Sequence, residues 1–337
     1  MGNKHYKAVC AVDSAYALFL YFLITGNSAE NTFFLFSNRI PKQYREKLSH
    51  NSLLIKVPRI RVKILHYLCQ FYYLFYLPFF FKRKKINELP VYGFDFLEWT
   101  NPILTFCEDF SVIEDGFGNY TMPPIELKRF KSSLWRSFLV KYVKVFHLPF
   151  GLSEKVKRIY LTGLLPIPQE IEHKVSLIDI QSLWDGLDAE RKVNLMNFFM
   201  GNCRFSMNSE RKILLLTQCW SEEHLITEDE KITLYRYIIN YYGESNIVLK
   251  THPRETTKYE TYFPNLEIIS DPVPFQLMML LGLKFDIAVS INSTAIFSLS
   301  DNCEKIIIIP TDLPNDNLFQ FMMSKCREVL SGKEFTD

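Results

Sequence analysis

A chain of 337 residues, 48% of them apolar, is too long for one ordinary core and suits two domains of roughly 150 residues each without disulfide support. The formal net charge of +2 gives no reason to expect nucleic acid as a partner. Seven cysteines, at positions 10, 69, 107, 203, 219, 303 and 326, contain no C-x-x-C pair, which argues for free thiols in a reducing compartment and against a zinc site.

Residues 6–12 (YKAVCAV) read as a buried first strand. Asp13-Ser14 offers an N-cap, 15–25 a helix and Gly26 its stop. Asp13 interrupts the apolar run, so no secretory leader is expected and the chain is placed in the cytoplasm. A strand feeding a helix through a tight loop opens a Rossmann-like sheet, yet no G-x-G-x-x-G is present. Strands follow at 32–36 and 52–57, a helix at 61–76, and short strand candidates at 91–94 and 103–106. Residues 68–81 (LCQFYYLFYLPFFF) run into Lys82-Arg83-Lys84-Lys85. This run is too short to span a bilayer, and Gln70 and Pro78 break it. The stretch from Leu68 to Lys85 reads either as a buried helix with a solvated basic end or as a segment lying at an anionic lipid interface.

Residues 111–116 (SVIEDG) form a strand that ends in two carboxylates and a glycine. An amphipathic helix at 134–146 and a strand at 158–162 close the first half, and 164–169 (LLPIPQ) is the expected hinge. The predicted domains are therefore 1–168 and 169–337. In the second half, 177–200 is mostly helical, and 212–217 is a buried strand opening on Glu222-Glu223. Thr227 to Glu230 make a capping box before a helix at 231–242 that Gly243 ends. Strands at 246–249, 266–270, 285–289 and 305–309 alternate with helices at 273–281, from 295 and at 318–330. The fold class is thus α/β, two Rossmann-like domains with ligand in the cleft between their carboxyl ends.

Three pieces at predicted strand ends can do chemistry. In Glu114-Asp115-Gly116, adjacent carboxylates repel, so one holds its proton more tightly and can serve as a base; the bland alternative is an acidic turn. In Lys250-Thr251-His252-Pro253-Arg254-Glu255, Pro253 biases the backbone of His252, and two flanking cations suit a phosphate; the alternative is a solvated turn. Ser293-Thr294, at a helix start, offers two hydroxyls and free amides to a phosphate, or simple capping. No D-x-D-like metal site stands out, and His252, Lys250 and the helix amides could take over the charge-neutralising role of a metal.

This set resembles the bacterial sialyltransferases of glycosyltransferase family 52 and, more loosely, the bacterial polysialyltransferases. Those enzymes share an acidic-acidic-Gly, a His-Pro and a Ser-Ser/Thr motif in that order, here Glu114-Asp115-Gly116, His252-Pro253 and Ser293-Thr294. The opening strand followed by Asp13-Ser14-Ala15-Tyr16 is similar to the family's N-terminus. The resemblance implies a GT-B fold and an inverting, metal-independent transfer from CMP-sialic acid to a terminal galactose-type hydroxyl of a lipooligosaccharide or capsule. It implies an acceptor-binding N-terminal domain and a nucleotide-sugar-binding C-terminal one. Glu114, with Asp115 second, would be the base; His252 would be general acid or charge stabiliser; Lys250, Pro253, Ser293 and Thr294 would hold the donor. Family relatives often carry Pro-x-Glu near the ribose, where this chain has Gln276. A base from the Glu222-Glu223 loop stays open, as does a UDP-hexose donor, since the family includes α-glucosyltransferases. A non-catalytic scaffold would bind no nucleotide. The expected partners are a nucleotide sugar and a lipid-linked glycan, with the 68–85 stretch on the inner face of the cytoplasmic membrane. No cofactor is expected, and a homodimer is compatible with this reading.

Overall fold

The computed structural model describes residues 5–55, 63–143, 146–201, 213–299, 303–309, 311 and 317–331. The chain divides into two compact units, Met1–Phe198 and Phe199–Asp337.

Among the described residues the first unit is built on seven strands: β1 (Ala8–Ala11), β2 (Thr32–Ser37), β3 (Ser52–Ile55), β4 (Val91–Gly93), β5 (Phe110–Ile113), β6 (Val156–Leu161) and β7 (Val175–Leu177). All pair in parallel, in the order β3-β2-β1-β4-β5-β6-β7. β1 (AVCA), β2 (TFFLFS) and β5 (FSVI) are buried throughout, as strands covered on both faces must be. The helices are α1 (Ala15–Thr25), α2 (Lys42–Lys47), α3 (Lys63–Lys84), α4 (Ile103–Phe106), α5 (Gly118–Ser132), α6 (Leu134–Phe138), α7 (Ile180–Asp185) and α8 (Ala189–Met200). The Ser14 hydroxyl caps α1 by accepting from the Ala17 amide at 3.2 Å, and Gly26 closes it at φ 64°. A Cβ on Gly93 would lie 1.9 Å from the Ala11 carbonyl oxygen, so β4 can meet β1 this closely only with a glycine.

Among the described residues the second unit carries five parallel strands, β8 (Ile213–Leu216), β9 (Ile247–Lys250), β10 (Glu267–Ile269), β11 (Phe285–Ile291) and β12 (Cys303–Ile309), in the order β10-β9-β8-β11-β12. Helices α9 (Glu228–Tyr242), α10 (Phe275–Leu280) and α11 (Leu318–Leu330) accompany them. The expected capping box is present: the Thr227 hydroxyl takes the Glu230 amide, and the Glu230 carboxylate takes the Thr227 amide. Strand order reverses direction between β1 and β4 in one sheet and between β8 and β11 in the other. Loops at the carboxyl ends of such strands are where doubly wound sheets bind ligands.

Four details differ from the sequence reading. Residues 103–106 form a helical turn after Pro102, because a four-residue apolar run fits either state and proline favours a helix start. Residues 118–132 are helical although Pro123 and Pro124 lack amides for it. The helix expected at 134–146 becomes a π-helical turn over Leu139–Val143, and residues 144–145 lie outside the described ones. Finally, the chain divides after Phe198 rather than after Pro168, because Val175–Leu177 pairs with β6 and α7 packs on α1. Among the described residues no helix is long and apolar enough to cross a membrane.

Candidate active site

In the first unit, β5 delivers Glu114 and Asp115 to very different environments. Glu114 is fully buried. Its Oε1 accepts from the Tyr16 hydroxyl at 2.8 Å, and its Oε2 from the Tyr120 hydroxyl at 2.6 Å and the Thr162 amide at 2.7 Å. The Thr162 hydroxyl stands 2.9 Å from both oxygens. The Tyr120 oxygen in turn accepts the amides of Gly163 and Leu164. A carboxylate so enclosed fastens α1, α5 and the end of β6 to β5, and it has no face left for a substrate. Burial first, and the Glu114 charge second, push the phenols of Tyr16 and Tyr120 up, so both stay protonated donors.

Asp115, by contrast, is exposed. Its amide donates to the Asn119 side chain at 2.8 Å, and Gly116 follows at φ 116°, so the backbone turns sharply just past the carboxylate. Of the two adjacent acids, the second faces outward. The sequence reading had put Glu114 first.

In the second unit, β9 ends at Lys250, and the next five residues form a braced loop. The His252 amide donates to Glu255 at 2.6 Å and to the Thr217 hydroxyl, beyond β8, at 3.3 Å. Glu255 also accepts from the Tyr259 hydroxyl at 2.7 Å and from Thr217. The Arg254 amide donates to His252 Nδ1 at 3.2 Å. In the neutral imidazole the proton therefore sits on Nε2. Burial, then the charges of Arg254 and Lys250, lower the His252 pKa to about 3. These influences favour the neutral imidazole, with Nε2–H as its donor.

Around it, positive charge is mostly answered. Lys250 donates to the carbonyls of Thr251 and Asp271, both at 3.0 Å. Arg254 pairs with Glu223 at 2.8 Å. Lys231, wholly buried on α9, reaches Glu222 at 2.9 Å, Glu255 at 3.4 Å and Glu228 at 3.5 Å. Burial alone would raise the Glu222 carboxyl, but the Thr256 amide and Lys231 overcome it and hold it down at about 2, too acidic for a base. Glu223 is the more exposed acid of that loop.

Lys231 is the hub that ties the loop after β8 to the loop after β9. Replacing it with methionine leaves buried carboxylates without their cation and should cost the second unit about 3–5 kcal/mol, measurable by urea unfolding. A loss below about 1 kcal/mol would mean that the cluster carries little stability.

The third motif lies beyond β11. Asn292 takes a positive φ of 53°, the Ser293 amide donates to the Ser290 hydroxyl at 2.8 Å, and Ser293 is buried. The expected α-helix is instead a 3₁₀ turn over Thr294–Leu299, so it offers no regular helix terminus to an anion, and the Ser293 amide is already used. The side chain of Thr294 lies outside the described residues. Gln218, after β8, reaches the Asn292 carbonyl at 3.4 Å, so loops from both sides of the strand reversal meet here. Gln276, in the first turn of α10, is buried and donates to the Ser298 hydroxyl at 3.0 Å. Pro253 is exposed.

Sequence reasoning missed the supporting residues. Tyr16 and Glu255 lay inside quoted segments but carried no assigned role. Tyr120, Thr162, Thr217, Lys231 and Tyr259 gave no local signal.

Two doubly wound parallel sheets, each with polar side chains at strand carboxyl ends, match solved transferases. Over 97% of this chain and 96% of theirs, the fold superposes on an α/β-galactoside α-2,3-sialyltransferase from Photobacterium phosphoreum with a TM-score of 0.58 at 13% identity. A Photobacterium damselae sialyltransferase, residues 113–497 corresponding to its GT-B domain, gives 0.51 at 12% identity over 96% of this chain and 97% of that one. The class is the GT-B glycosyltransferase fold. The model of glycosyltransferase family 52 matches residues 29–312, and the chain belongs to that family. An uncharacterized protein of Haemophilus influenzae is 34% identical over 304 residues, 87% of this chain and 91% of that protein. The protein is a glycosyltransferase.

Proposed function

We propose that the enzyme transfers sialic acid from CMP-sialic acid to a terminal galactose-type hydroxyl of a surface glycan, with inversion and without a metal. What supports the donor assignment is membership of family 52 over residues 29–312 together with the likeness of the fold to a sialyltransferase at a TM-score of 0.58. Three cations, Lys231, Lys250 and Arg254, stand among four carboxylates, Glu222, Glu223, Glu228 and Glu255, with a neutral His252 at their edge. These cations are largely answered within the protein, and the Nε2–H of His252 offers a neutral donor to a phosphate oxygen. As CMP departs, His252 Nε2–H would donate to the phosphate oxygen that gains charge, and the Ser293 hydroxyl would hold another. Gln276, an amide where relatives often have a carboxylate, would bond a ribose hydroxyl. Asp115, exposed beyond β5, would take the acceptor proton, with Glu114 holding the frame behind it. The second reading of the base is Glu223, which Arg254 joins to the His252 loop.

A donor panel tests this. CMP-sialic acid and several UDP-hexoses are incubated with a galactose-terminated acceptor in the presence of EDTA, and products are weighed by mass spectrometry. Release of CMP with a sialylated product is expected. Hexose transfer from a UDP donor instead would overturn the donor assignment. Loss of turnover in Glu223→Gln together with full turnover in Asp115→Asn would move the base to the second unit.

A further inference from the structure

Helix α3 is apolar on two opposite faces, and among the described residues one is buried while the other is largely exposed. Tyr73, Leu77 and Phe81 point into the first unit, and the Phe81 ring meets Phe106 of α4 edge-on at 5.1 Å. The other face carries Leu68, Phe71, Tyr72, Phe75 and Phe79 at helical spacing, with Phe75 75% and Phe79 68% exposed. Lys82 and Arg83 continue that same face by the 3.6-residue period. Lys82, Arg83, Lys84 and Lys85 are all exposed, and none forms an ion pair among the described residues. A second row of exposed apolar side chains, Leu134, Phe138 and Tyr142, lies on the 134–143 stretch. Phe146 packs edge-on against Phe71 at 5.2 Å.

A ridge of this kind is costly in water and is not a membrane span. Its rings want an apolar layer, and its basic run, without an ion pair among the described residues, wants anions close by. We propose that α3 lies in the plane of an anionic lipid surface, with its aromatic rings in the headgroup–acyl boundary and Lys82 to Lys85 against anionic headgroups. Charge complementarity decides the occupant. A second copy would bring more cations of its own, whereas an anionic bilayer supplies both the apolar layer and the counter-charge. The inference concerns where the enzyme works and stands apart from which sugar it transfers.

The test is co-sedimentation of the full chain with vesicles of phosphatidylethanolamine and phosphatidylglycerol, and with vesicles of phosphatidylcholine alone. Binding is expected to the anionic vesicles, and to weaken as salt is raised. Phe75→Ser with Phe79→Ser, and separately Lys82→Glu with Arg83→Glu, should each weaken it by on the order of tenfold or more. All four positions are exposed, so unchanged melting and unchanged turnover on a soluble acceptor report an intact fold. No sedimentation of the wild type, or sedimentation indifferent to both salt and substitution, would overturn the proposal. So would a dimer in size-exclusion chromatography that the Phe75 and Phe79 changes dissolve without any effect on vesicle binding.

Discussion

Asp115→Asn should lower kcat/KM by about a hundred- to ten-thousandfold, the span expected for a lost general base, and leave the melting temperature unchanged. Glu114→Ala should do the opposite kind of damage. It strips the acceptor from two tyrosine hydroxyls and from the Thr162 amide and hydroxyl. Leaving such buried donors unpaired costs about 3–5 kcal/mol in total. That corresponds to a fall of roughly 10 °C in the melting temperature of a unit this size. Glu114→Gln keeps an acceptor oxygen but turns an amide N–H toward hydroxyl donors, so it should fall between wild type and alanine in stability. Melting curves and initial rates on the same three variants separate the two carboxylates. If Glu114→Gln melts like the wild type yet is inactive, the base is the inner acid.

The second large effect concerns His252. Removing one preorganised donor to a departing oxyanion costs about a hundred- to thousandfold, so His252→Ala should lose that much in kcat. His252→Gln places an amide N–H near the position of Nε2 and should recover part of the loss, which no requirement for a protonated imidazole would allow. The acid limb of kcat/KM should be the same in both, because a group with a pKa near 3 does not change state where the enzyme works. Stability gives an independent check. The folded pKa lies below the ordinary 6.5, so the histidine's share of stability is full above pH 6.5 and is lost as pH falls toward about 3. The wild type should therefore lose melting temperature more steeply than His252→Gln below pH 6.5. A variant that restores nothing while the acid limb moves would make His252 a proton donor instead.

The parallel architecture was legible because its signals are local. Ser14 and Gly26 bracket α1, Thr227 and Glu230 box the start of α9, and β-branched runs such as 305–309 announce themselves. Residues 103–106 misled because four apolar residues carry no period long enough to tell a turn of helix from a strand. The 118–132 helix was hidden by its two prolines, whose lost bonds tertiary packing outweighs. For the site, the motifs marked the right strand ends but not the division of labour within them. What separates Glu114 from Asp115 is three partners 98, 6 and 48 positions away, and no spacing rule sees them. Lys231 reads as an ordinary solvated lysine after a capping box, and only the folding of two distant loops around it makes it a hub.

One property of the sheets reaches beyond the site. Among the described residues every strand pairing is parallel, so none of these is closed by a hairpin, and each waits for an intervening segment to cross over. The chain must therefore settle the entropy of many large loops before its ladders reward it. On leaving the ribosome it would pass through a slow interval with bare ladder edges and apolar strands uncovered. How much active enzyme a cell obtains would then be governed as much by that interval, and by the chaperones that shield it, as by the stability finally reached.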